Sequence, residues 1–206
     1  MKHFFRYAGF SAFIIIVASI NSYAQQKLQL KIGYSANTPV GSSFKNLISN
    51  TSFRGANGEL VYAINDQLSL GLGVSYNDFY QKYPRQLIDT KYGEISAVVS
   101  NSVQVTPVVA KVNYSFIKGG NIQPYTGLGA GFNLINYYQY LGEFPDSKTV
   151  FKPALQADAG INISLNKIRG TGLNIGANYN YLPFNYNEIK TLNNWGIHAG
   201  FFFRLR

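Results

Sequence analysis

Apolar and polar side chains alternate along most of this chain. In the final segment, 195–206, one set of alternate positions is apolar and the other is mostly small or polar. Successive side chains of a β-strand point to opposite faces, so this period of two predicts a strand with one apolar face. The apolar set of this segment is Trp195, Ile197, Ala199, Phe201, Phe203 and Leu205.

The same alternation recurs in earlier segments and predicts eight strands in all. The predicted strands are 27–35, 53–64, 67–80, 102–116, 122–140, 150–165, 173–181 and 195–206. Near Pro107 the apolar set changes phase: Val103 and Val105 belong to one face, Val108 and Ala110 to the other. Because proline lacks an amide donor, this change predicts a β-bulge.

The connections between these strands alternate between long and short. Long loops are predicted at 35–52, 81–99, 141–148 and 182–193, and short turns at 65–66, 118–121 and 166–170. Bacterial outer-membrane barrels have an even number of strands, short periplasmic turns and longer outer loops. The order therefore predicts an all-β fold, an eight-stranded antiparallel up-and-down transmembrane β-barrel. A soluble lipocalin-like barrel, with an apolar inside, is the alternative, because alternation alone does not distinguish inside from outside.

Aromatic residues lie toward the ends of the predicted strands, as the two girdles of a membrane barrel require. The predicted girdle residues are Tyr34, Tyr62, Tyr76, Tyr114, Phe116, Tyr137, Tyr179, Tyr181 and Trp195. The chain is 16% aromatic and only 13% charged, which suits a fold with lipid on one face and water on the other.

The first residues predict export. Lys2 and Arg6 precede an apolar run from Ala8 to Ile20, and small residues follow at Ser22 and Ala24. This arrangement is typical of a cleaved secretory signal peptide, here 1–24, which leaves 25–206 as the barrel domain. No later segment has the roughly 20 consecutive apolar residues of a spanning helix.

The formal net charge is +9, and the chain has no cysteine. The absence of cysteine excludes disulfides and thiol catalysis. The basic residues are scattered without a run or stripe, so we expect no nucleic acid partner and instead an attraction to anionic lipid headgroups.

Charged residues on the polar face predict a filled lumen, because eight strands leave room only for side chains. With a set of Asn and Gln, the predicted lumen network is Lys31, Glu59, Lys111, Asp158, His198 and Arg204. Buried charges need partners, so we expect Glu59 and Asp158 each to contact a lumen Lys or Arg. The glycines between Gly127 and Gly131 resemble part of a dinucleotide fingerprint, but alternation continues through them and predicts a row of lumen glycines.

Candidate chemistry is sparse. His198 is the one histidine outside the signal segment, and it could act as a base beside Asp158 or Glu59. One histidine and two carboxylates do not form a metal-ligand cluster. We expect no catalytic residue, metal or cofactor, and place any extracellular ligand at the long loops.

The pattern resembles the porin-family outer membrane beta-barrel domain of Gram-negative bacteria. The end of the chain is similar to that group's assembly signal, through His198, Gly200, Phe203 and Leu205. The resemblance implies an integral outer-membrane location, contact with outer-membrane lipid and recognition by the barrel assembly machinery. It does not specify an activity, because the fold hosts many functions. We expect a structural or surface-interaction role; the alternatives are a narrow channel for small or apolar solutes and a lipid-modifying enzyme.

Overall fold

A computed structural model describes residues 27–90, 93–142, 144–166, 170–186 and 189–205. The predicted signal peptide, 1–24, lies outside the described residues. The elements, in chain order, are β1 (Leu28–Pro39), α1 (Ser42–Leu47), β2 (Ser52–Ala63), β3 (Leu68–Thr90), β4 (Gly93–Ser115), β5 (Ile122–Leu141), β6 (Phe144–Asn166), β7 (Thr171–Tyr181), β8 (Pro183–Tyr186), β9 (Ile189–Thr191) and β10 (Asn194–Arg204).

Eight of these strands form one closed barrel in the order β1-β10-β7-β6-β5-β4-β3-β2, and every neighbouring pair is antiparallel. Between the first and last barrel strands, the ladder runs from the Gln29–Arg204 pair to the Pro39–Asn194 pair. Closure leaves no barrel strand with a free edge across the membrane-spanning part. The predicted all-β, eight-stranded antiparallel barrel is confirmed.

The two faces of the barrel wall have opposite character. Apolar side chains such as Leu72, Leu128 and Ile197 are exposed on the outside, and Leu128 reaches 70% exposure. Polar side chains such as Lys31 and Asn113 alternate with them and are buried inside. This is the order of a barrel that faces lipid, and it is the reverse of a lipocalin.

Most of the predicted girdle residues lie on the outer surface in two bands. One band, toward one end of the wall, contains the exposed residues Tyr34, Tyr76, Tyr179, Tyr181 and Trp195. The other band, toward the opposite end, contains the exposed Tyr114 and Phe116 and the partly exposed Tyr62. The prediction for Tyr137 was wrong, because its side chain points inward and is 1% exposed.

Two of the predicted long loops are strands. β3 and β4 stay paired as far as Thr90 and Gly93, and β5 and β6 as far as Leu141 and Phe144. The predicted loops 81–99 and 141–148 are therefore wrong, and both segments belong to hairpins that extend past the aromatic bands. Polar and charged residues interrupt the alternation in these segments, while the backbone hydrogen bonds continue. We call this side of the barrel the hairpin end and the opposite side the turn end.

The bulge predicted at Pro107 is also wrong. Val74 pairs with Val108 and Asn77 with Val105, so the register is the same on both sides of the proline. A register shift occurs instead between Tyr83 and Arg85, where Pro84 is the extra residue. A missing amide donor is tolerated at such a position.

The change of phase near Pro107 marks a change in the lumen. Val103, Val105 and Val109 all point inward and are buried with Phe79 and Ile135. The lumen is thus polar toward the turn end and apolar toward the hairpin end. The strand keeps its orientation while the preferred residues on each face change.

An apolar cap closes the hairpin end. It consists of these inward residues together with side chains from α1 and from the β8–β9 hairpin: Phe44, Leu47, Ile48, Phe79, Val103, Val105, Val109, Ile135, Tyr137, Ala154, Leu182, Phe184, Ile189 and Leu192. Polar contacts hold α1 in place, because the carbonyl of Leu47 accepts hydrogen bonds from Asn101 Nδ2 at 2.9 Å and from the Tyr83 hydroxyl at 3.2 Å. The cap is therefore anchored to the wall as well as packed on it.

No helix among the described residues is long and apolar enough to cross a membrane.

The destabilisation caused by a charge on the outer face of the barrel should depend on whether that position lies in lipid or in water. Leu72 lies on β3, midway between Leu68 and the girdle residue Tyr76, so Leu72→Arg should lower the free energy of unfolding by about 2–4 kcal/mol. The measurement is urea unfolding in lipid vesicles. Leu87→Arg is the matched control, since Leu87 is 73% exposed on the β3–β4 hairpin and should tolerate the change. Equal effects at both positions would contradict the placement of Leu72 in lipid.

Candidate functional site in the barrel lumen

A cluster of buried charges lies across the lumen. Lys111 Nζ, from β4, is 3.4 Å from Glu59 Oε2 on β2 and 3.7 Å from Asp158 Oδ2 on β6. Asn113 Nδ2 donates a hydrogen bond of 2.8 Å to Glu59 Oε1. Lys111 thereby ties together three strands that are distant in the chain, and no charge in this group faces lipid.

Glycines on the wall make room for this cluster. A Cβ atom at Gly129 would lie 2.9 Å from Lys111 Cγ, and one at Gly71 would collide with the Glu59 carboxylate. The glycine row predicted around Gly127–Gly131 therefore has a packing function. It leaves space for the long side chain of Lys111 on the neighbouring strand β4.

Lys31, on β1, lies beside this group but contacts an aromatic ring. Its Nζ is 4.4 Å from the centre of the Tyr125 ring, which is a cation–π distance. The Tyr125 hydroxyl accepts a hydrogen bond from Asn174 Nδ2 at 3.1 Å and lies 3.3 Å from His198 Nε2. His198 is thus part of a buried polar network on the inner wall.

Amide side chains fill most of the remaining polar lumen. Gln156 donates to Asn180 Oδ1 at 2.9 Å, and Asn180 donates in turn to Asn194 Oδ1 at 2.8 Å. Asn174 also donates to Asn162 Oδ1 at 2.8 Å. Such amides bond to one another without adding charge to a lumen that already holds two lysines and two carboxylates.

Five of the six predicted network residues lie in the lumen: Lys31, Glu59, Lys111, Asp158 and His198. The structure does not place Arg204 among them, because this side chain is exposed beyond the last inward-facing ring of β10. It lies instead at the mouth of a funnel at the turn end. Alternation identifies the face to which a residue belongs but not its height in the barrel.

Tyr125 was missed as a network residue. It has the same parity on β5 as the glycines at 127, 129 and 131, so its place on the lumen face could be read from the sequence. The role of Tyr125 in the network could not be predicted from the sequence, because its contacts with Lys31 on β1 and His198 on β10 depend on how the sheet closes.

The predicted assembly-signal residues lie in β10, except Leu205, which follows the strand directly. His198 and Gly200 face inward, while Phe203 and Leu205 are both 37% exposed. Their recognition by the assembly machinery stays a prediction.

Two cavities bound the charged cluster. The inner one has a volume of about 30 Å³, room for little more than a water molecule, and is lined by Glu59, Lys111, Asp158 and His198 among others. The other, of about 840 Å³, is a funnel that opens at the turn end and reaches inward to Lys31 and Tyr125. The described side chains of the cluster and the apolar cap lie between the funnel and the hairpin end.

Within the described ranges, no group of three or more histidine, aspartate or glutamate side chains is arranged to hold a metal ion.

A closed antiparallel barrel with an apolar exterior, a polar lumen and aromatic bands defines a transmembrane β-barrel of the bacterial outer-membrane type. The family model for the outer membrane protein beta-barrel domain matches residues 10–203. The chain belongs to this family and is located in the cell outer membrane. The turn end is accordingly its periplasmic end and the hairpin end its outer end.

Solved structures show the same fold. Neisserial surface protein A has 17% sequence identity with this chain and a TM-score of 0.54, over 86% of this chain and 96% of that chain. The outer membrane protein OprG from Pseudomonas aeruginosa has 13% identity and a TM-score of 0.54, over 87% of this chain and 96% of that chain. No curated protein matches the chain significantly. At these identities the likeness concerns the fold alone.

The charged cluster predicts that the stability of the barrel depends strongly on Lys111. Lys111→Met leaves Glu59 and Asp158 without their shared cation, so it should reduce the free energy of unfolding by about 3–5 kcal/mol in urea titrations. Adding Asp158→Asn should restore part of the loss, since Lys31 faces Glu59 across the β1–β2 ladder. Lys190→Met, at an exposed position, is the control. A loss no larger than that of the control would mean that the cluster contributes little.

Proposed function

We propose that this protein is a closed outer-membrane barrel whose outer hairpins form its working surface, in a structural or surface-interaction role. The observation that carries the proposal is the double closure of the lumen, by the charged cluster around Lys111 and by the apolar cap. A barrel filled in this way anchors the hairpins rigidly and gives solutes no ready path.

The hairpins support this role. The β3–β4 and β5–β6 ladders extend beyond the girdle residues and carry exposed side chains at Lys82, Arg85, Leu87 and Lys148. At the base of the first hairpin, Arg54 pairs with Asp78 at 3.3 Å. Paired strands hold such side chains in fixed positions, whereas flexible loops would have to be ordered on binding.

Other features of the lumen favour a barrel without enzymatic activity. His198 is 7% exposed, faces the lumen and lies against Tyr125, away from the lipid face at which a lipid substrate would approach. The narrow-channel alternative would need a path through both the charged cluster and the cap.

Conductance tests the closed lumen directly. The purified mature protein, inserted into planar lipid bilayers, should give no discrete conductance steps, because the cavity beside Lys111 has a volume of only about 30 Å³. The protein is delivered from lipid vesicles that fuse with the bilayer, and its folding is checked by heat-dependent gel mobility of a sample from these vesicles. A porin added afterwards shows that the bilayer reports channels. Reproducible steps from the wild-type chain would overturn the proposal in favour of a channel.

Trimming a hairpin tests its surface role. Replacing 84–98 with Asn-Gly joins Tyr83 directly to Val99, its ladder partner, through a two-residue turn. Cells that display this variant should lose attachment to polystyrene and to one another, while heat-dependent gel mobility stays unchanged. Lys118→Gln, in a turn at the periplasmic end, is the control. Unchanged attachment would refute the hairpin as a working surface and leave a purely structural role, seen as detergent sensitivity on deletion of the gene.

A further inference from the structure

The funnel at the periplasmic end has an unusual floor. Lys31 is 5% exposed, yet the described residues place no carboxylate oxygen within ion-pair distance of its ammonium group. The ammonium lies 4.4 Å from the centre of the Tyr125 ring, and both side chains line the funnel. The nearest carboxylate along the sheet, Glu59, faces Lys31 across the β1–β2 ladder and attracts it at longer range, but the Glu59 oxygens bond to Lys111 and Asn113. A buried ammonium normally needs a partner, and here the funnel lies open to one.

The remainder of the funnel lining is also positively charged and polar. Lys27 and Arg204 lie at its mouth against the single acidic residue of its lining, Asp66, so positive charge is in excess. Its walls carry uncharged hydrogen-bonding groups such as Gln29 and Gln123. Asn113 Oδ1, near the floor, is buried without a hydrogen-bond partner and adds an acceptor. The volume, about 840 Å³, is within the range of small-molecule sites.

We propose that this funnel is a binding site, open to the periplasm, for a small polar anion with a phosphate or carboxylate head. The head binds the Lys31 ammonium at the floor, the Arg204 guanidinium at the mouth adds to the positive charge that attracts the ligand, and the body of the ligand contacts the amide and hydroxyl side chains of the wall. Because the charged cluster and the apolar cap close the lumen beyond Lys31, the ligand is held and not passed on. The site is therefore distinct from the hairpin surface on the other side of the membrane.

Titration with inorganic phosphate tests the site. The full mature protein is placed in phosphatidylcholine nanodiscs, and its backbone amide signals are followed by NMR as phosphate is added. The expected result is saturable shifts confined to the funnel, at residues such as Gln29, Ser69 and Gln123. Shifts that fail to saturate, or that spread over both ends of the barrel, would overturn the proposal.

Variants assign the binding to the two cations. Lys31→Met should weaken phosphate binding by about tenfold or more, since it removes a charge-assisted hydrogen bond. Arg204→Gln should weaken it as well, and this exposed position keeps the test valid if Lys31→Met does not fold. Lys190→Gln, at the outer end, should leave the affinity unchanged. Equal affinity in Arg204→Gln and the control would refute a site that spans floor and mouth.

A second arm distinguishes the source of the anion. If a free periplasmic anion is the ligand, phosphate binds with the same affinity in phosphatidylcholine and in phosphatidylglycerol nanodiscs. If the headgroup of an anionic lipid occupies the funnel, the funnel signals are already shifted in phosphatidylglycerol and phosphate competes poorly. Unshifted funnel signals in both lipids, without saturable phosphate binding, would reject the site altogether.

Discussion

Every backbone donor and acceptor that enters lipid must be paired within the protein, and this constraint governs the whole structure. A β-sheet meets it only when its first and last strands join, which here is the ladder between β1 and β10 from Gln29–Arg204 to Pro39–Asn194. Closure of the sheet then determines the surroundings of both faces of each strand. It turns one face of every strand outward to lipid and the other into a lumen that must be filled.

The lumen is filled in two different ways along its axis. Toward the periplasmic end, long charged and amide side chains meet across the barrel, as Lys111 does with Glu59 and Asp158. Toward the outer end, valines and aromatics pack under α1 and the β8–β9 hairpin. Charges held by several partners depend on exact geometry, whereas the apolar cap depends on close packing. A single substitution therefore affects one layer more than the other.

The sequence predicts the barrel itself well, because alternation and the order of long and short connections follow directly from the constraint of lipid on one face. It fails where that constraint ends. The segment 81–99 is predicted as a loop because polar and charged residues interrupt its alternation, although the β3–β4 ladder continues through it. Near Pro107 the apolar residues change face because the lumen becomes apolar, and a rule that equates the polar face with the lumen misreads Val103 and Tyr137. The contacts among Lys31, Tyr125 and His198 depend on the tilt and closure of the sheet, which alternation does not record.

The two lumen lysines show how position determines what a buried charge can do. Lys111 lies between two carboxylates and stabilises the barrel wall, since its removal leaves charges unpaired on β2 and β6. Lys31 contacts the Tyr125 ring and lines the open funnel. Both residues belong to the polar face and both are buried, so sequence pattern treats them alike. The difference arises because β1 brings Lys31 to the last layer before the periplasmic opening, where a buried cation can meet a ligand from outside the chain.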